Sequence, residues 1–130
     1  MELREQLAEF AGRSLNFEIL NTDFGILIEP ENEDGFPVEV QELSETEYIV
    51  NFGGWHEHFD NVHEAFSCVS FGLSSKCRLK IHSRSLKEYR WTVQALENGE
   101  WVDESTVGLV FFRYFGTPKT EYRQNTYDLK

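Results

Sequence analysis

The sequence predicts an α+β fold: a single antiparallel-rich sheet of about six to eight strands, with an N-terminal helix and one helix inserted mid-chain. Three observations predict it. Apolar residues recur at helical spacing in two segments, Leu3-Leu7-Phe10-Ala11 and Val62-Ala65-Phe66-Val69-Leu73. Most of the rest alternates apolar and polar with a period of two, broken by turn residues, which is the pattern of half-buried strands joined as hairpins. Eleven Phe, five Tyr and three Trp in 130 residues give one domain, residues 1–130, enough apolar surface for a core.

In chain order, residues Glu2 to Arg13 read as an amphipathic helix stopped at Gly12. Leu15, Phe17 and Ile19 alternate as a strand, and Phe24, Ile26 and Ile28 form its hairpin partner across Asn21-Thr22-Asp23. Glu31 to Gly35 is a solvated loop. Pro37 to Leu43 and Thr46 to Phe52 follow as strands, with Val38, Val40, Tyr48, Val50 and Phe52 facing inward. Gly53-Gly54 lacks the spaced glycines and Lys-Ser/Thr ending of a phosphate loop and reads as a turn or bulge. Asp60 is expected to cap a helix over Asn61 to Phe71, with Gly72 as its stop.

Lys76 to Arg84 alternates throughout: Lys76, Arg78, Lys80, His82 and Arg84 on one side, Cys77, Leu79, Ile81 and Ser83 on the other. Half of all Lys and Arg lie between Lys76 and Arg90. The outward row reads either as a cationic strip for an anion or as a face paired with acidic neighbours such as Glu39 and Glu47. Tyr89 to Ala95 is the next strand. Asn98-Gly99 marks a type I′ hairpin turn into a return strand beginning at Trp101-Val102. Thr106 to Phe115, apolar on both faces, is expected to be central in the sheet. Gly116-Thr117-Pro118 turns the chain into a last strand over Lys119 to Gln124, and the tail from about residue 125 is expected to fray.

The formal net charge of -11 argues against affinity for nucleic acid or anionic membrane and favours a basic protein partner. Two cysteines are too few for a disulfide framework. No basic-then-apolar leader follows Met1-Glu2-Leu3-Arg4-Glu5, and no window approaches the ~20 apolar residues of a membrane span, so a cytoplasmic location is expected.

Three candidate sites follow. From Glu29 to Glu47 there are eight carboxylates and no basic residue, so Glu31, Glu33, Asp34, Glu39 and Glu42 are candidate contacts for a basic protein, or else charges that protect a sheet edge. His56, His58 and His63, with Glu57, Asp60 and Glu64 nearby, are candidate ligands for a divalent metal and so for a metal-dependent hydrolase. Their spacing is not that of His-Glu-x-x-His. Trp55, Trp91 and Trp101 are candidate walls of a pocket for a small apolar ligand. Cys68 and Cys77 read as inert apolar groups, and no Ser stands in a Gly-x-Ser-x-Gly elbow.

The C-terminal pattern Tyr-Arg-Trp-Thr-Val, Asn-Gly-Glu-Trp and Thr-Val-Gly-Leu-Val-Phe-Phe resembles small bacterial domains, some of which act as immunity proteins against toxins. It contains no catalytic motif, and no residue role is carried over from it. The leading expectation is a non-enzymatic protein-binding domain, such as an immunity or inhibitor protein for a basic partner, with no resident cofactor. The metal site and the apolar-ligand pocket are the alternatives.

Overall fold

A computed structural model describes residues 19–21, 25–30, 32–109 and 115–125. The expected helix over Glu2 to Arg13 lies outside the described residues, as do most of the Leu15–Ile19 strand, Glu31, and positions 110–114 of the expected central strand.

The first sheet is built from β1 (Ile19–Asn21), β2 (Gly25–Ile28), β3 (Val38–Ser44), β4 (Glu47–Phe52) and β5 (Trp55–Phe59), antiparallel and paired in chain order. Then comes α1 (Val62–Leu73). The second sheet contains β6 (Cys77–Arg84), β7 (Lys87–Glu97), β8 (Glu100–Gly108) and β9 (Pro118–Arg123), in the order β8-β7-β6-β9.

The expected α+β single sheet is therefore corrected: the described residues form a predominantly β architecture of two antiparallel sheets and one helix. The physical reason is that period-two alternation reveals an inward face but not the strand that lies beside it. Val38, Val40, Val50 and Phe52 face inward from the first sheet, and Cys77, Leu79, Ile81 and Val93 from the second, all into one core. Two apolar faces covering one another bury more surface than one sheet facing water. Ala65, Val69 and Leu73 of α1 complete this core, and the helix packs on β3 and β4 while reaching β6.

The edges differ from expectation as well. Among the described residues β8 pairs only with β7, so there Thr106 to Gly108 end an edge strand instead of opening a central one. Val107 packs on the core, Thr106 meets Thr92 on the outer face, and Phe115 is 74% exposed. Asn61, not Asp60, caps α1; its side chain accepts from the backbone N–H of His63 at 2.8 Å and Glu64 at 3.1 Å. Asn125 does not fray. It is 3% exposed, donates from Nδ2 to the carbonyls of Phe36 and Gly72, and accepts from the Phe36 N–H, each at 3.1 Å.

Two contacts set β5 against the second sheet. Gly54 lies so close to the Trp91 indole that a Cβ there would fall 2.1 Å from a ring atom, and the Trp55 indole N–H donates to the Ser105 hydroxyl at 3.1 Å. Gly53, at φ +62°, makes the preceding turn. Among the described residues no helix is long and apolar enough to cross a membrane.

Candidate functional site

Between β5, α1 and the β7–β8 pair lies a cleft of about 480 Å³. Its position follows from local sequence. Alternation along β5 turns Trp55, Glu57 and Phe59 toward the cleft and His56 and His58 away from it. On α1, Ser67, Cys68 and Phe71 share a face at helical spacing. From the second sheet come Val93, Ala95, Ser105 and Glu104.

Glu104 reaches the cleft through an irregularity. Val93 pairs with Ser105 and Gln94 with Asp103, so Glu104 is the extra residue of a β-bulge, which re-aims its side chain. The floor is Phe52, stacked on Trp55 with ring centroids 4.8 Å apart. Burial and then the negative charge of Glu57 push the Cys68 thiol up to about 12, so it is a protonated wall group at neutral pH.

The residues singled out from sequence are distributed elsewhere. His56 and His58 are exposed on the outer side of β5, and His63 is exposed in the first turn of α1. Among the described residues no group of three or more His, Cys, Asp or Glu is placed to hold a metal ion. Glu33 and Asp34 are exposed in the turn before β3. Their backbone is held from the far end of the chain: the Arg123 guanidinium donates to the Glu33 carbonyl, and the Gln124 N–H donates to the Asp34 carbonyl at 2.7 Å. Glu39 is half-buried on β3 and accepts from Gln41 at 3.1 Å and Asn51 at 3.3 Å, whereas Glu42 sits opposite Tyr48 beside a register shift. Of the three Trp residues, Trp55 lines the cleft, Trp91 packs under Gly54, and Trp101 lies on the outer face of the second sheet.

The outward row of β6 does not pair with Glu39 or Glu47, which belong to the other sheet; its neighbours are β7 and β9. Arg78 is instead held in place within its own sheet. Its guanidinium lies 4.5 Å from the Trp101 ring centroid and 4.3 Å from that of Tyr122, and its Nε donates to Gln94 at 2.6 Å. Gln94 in turn donates to Asp103 at 2.6 Å. Desolvation, then the positive charges of Lys80 and Arg90, lower the pKa of His82, with Asp103 opposing.

Sequence reasoning missed Glu57 and Glu104 as a pair. The alternation of β5 marks Glu57 as facing the same way as Trp55 and Phe59. Nothing in Asp103-Glu104-Ser105 announces a bulge. No family model, no curated protein and no solved structure matches this chain.

Proposed function

We propose that the protein is a non-enzymatic binding domain that holds a small, largely apolar ligand in the cleft between β5, α1 and the β7–β8 pair. The observation that carries this reading is the cleft itself. Its volume of about 480 Å³ falls within the roughly 300–1,000 Å³ of small-molecule sites, and Phe52, Trp55, Phe59 and Phe71 supply its apolar lining. A protonated Cys68 supports binding over thiol chemistry. The free thiols Cys68 and Cys77 fit the reducing cytoplasm.

The test is calorimetric titration with a naphthalene-sized aromatic probe, 2-naphthylmethanol. Ser67 is exposed on the cleft face of α1, so Ser67→Phe fills the space at little cost to the fold. Saturable binding that weakens roughly tenfold or more in Ser67→Phe is expected, as for a ligand that buries most of its surface. Equal binding by both proteins overturns the reading.

A second reading, contact with a basic partner such as a toxin, is favoured by the pinned backbone of the Glu33-Asp34 turn. A surface that is already ordered loses little entropy on binding. Glu33→Gln with Asp34→Asn is expected to slow association with such a partner about tenfold at low salt, with the difference vanishing at high salt. Stopped-flow association rates check it.

A further inference from the structure

We propose that the cleft selects an organic cation, a free small molecule with an aromatic or aliphatic body and an ammonium group held between Glu57 and Glu104. This rests on reading the cleft as a ligand site, and it adds the charge that the ligand carries.

The composition of the walls is the first argument. Among the described residues the cleft is lined by aromatic and aliphatic groups, two hydroxyls, a thiol and two carboxylates, with no Lys, Arg or His. An anionic ligand would meet carboxylates with nothing to offset them. A neutral one would leave their charge unused at the mouth of an apolar space.

The second argument is how the carboxylates arrive. Glu57 comes from the edge strand of one sheet and Glu104 from the bulge of the other, so two independent elements deliver like charge to one cleft. Two carboxylates on separate elements at one cleft give an ammonium two charged acceptors. Neither carboxylate is engaged by a hydrogen bond or a cation among the described residues. Burial, and after it the charge of Glu57, raises the Cys68 thiol on the wall of the same cleft.

The third argument concerns the kind of cation. No set of three side chains is placed to hold a metal ion among the described residues. Phe59, Phe71 and Trp55 instead line the cleft with aromatic and apolar area, which suits an ammonium attached to a hydrophobic body. A volume of about 480 Å³ matches a free small molecule.

Three probes of one shape separate the possibilities: 2-naphthylmethylammonium, 2-naphthylmethanol and 2-naphthoate, titrated into the full chain at low ionic strength. The ammonium is expected to bind about tenfold tighter than the alcohol, and the carboxylate not at all. Glu57→Gln and Glu104→Gln are each expected to lower the ratio of ammonium to alcohol affinity, and the double variant to bring it to about one. Both glutamates are exposed, and unchanged thermal melts confirm intact variants. If alcohol and ammonium bind equally and Ser67→Phe weakens both, the cleft is a ligand site and the charge selection is overturned. If no probe binds, the cleft reading falls and the selection with it.

Discussion

Gly72 shows how one residue type carries two signals. A glycine after an apolar helical stripe reads as a helix stop, yet α1 continues through it to Leu73 and ends at Ser74. The glycine is there for contact: a Cβ would stand 2.3 Å from the buried Phe52 ring. Gly72→Ala adds helix propensity of about 1 kcal/mol but forces the ring or the helix to shift, at about 2–3 kcal/mol. A net loss of about 1–2 kcal/mol in chemical denaturation is therefore expected. The cap stands one residue beyond the expected Asp60: Asn61 is as good a capping residue, and its extended backbone (φ -140°, ψ 126°) puts it in that place.

Individual strands and turns were largely legible, their neighbours much less so. Asn98 and Gly99 adopt φ +52° and +82°, the left-handed pair that a type I′ turn demands, as their identities announce. The β6–β7 hairpin uses the same conformation with Ser85 at φ +48° and Leu86 at +70°, and neither residue advertises it. Leu86 is 87% exposed and gains nothing from burial there. A left-handed non-glycine residue costs about 1–2 kcal/mol, against about 0.5–1 kcal/mol of extra chain entropy lost by glycine. Leu86→Gly is thus expected to raise stability by about 0.5–1 kcal/mol, seen as a higher denaturation midpoint at unchanged slope. The alternation of β5 and β6 was plain in sequence. The bulge that presents Glu104 was not, because pairing register is a property of two strands together.

At the scale of the molecule, the two sheets and the helix of the described residues share a core against which a buried polar residue is set. Asn125 joins the turn before β3 to the last turn of α1 from 89 and 53 residues away. Its sequence neighbourhood, polar and near the end of the chain, suggested fraying, since nothing local reveals partners so distant. Asn125→Ala would leave the Phe36 N–H and two carbonyls without this partner. A loss of about 2–3 kcal/mol is expected, measured by chemical denaturation.

The same residue sets an order of events during synthesis. A chain emerging amino-end first exposes the inner faces of β3, β4 and α1 long before residue 125 is made, and β9, which completes the second sheet, emerges only just before it. The residues of the core are complete by Val107, so the buried bonds of Asn125 to Phe36 and Gly72 are the last of these contacts that synthesis makes available, a latch set on a core already assembled.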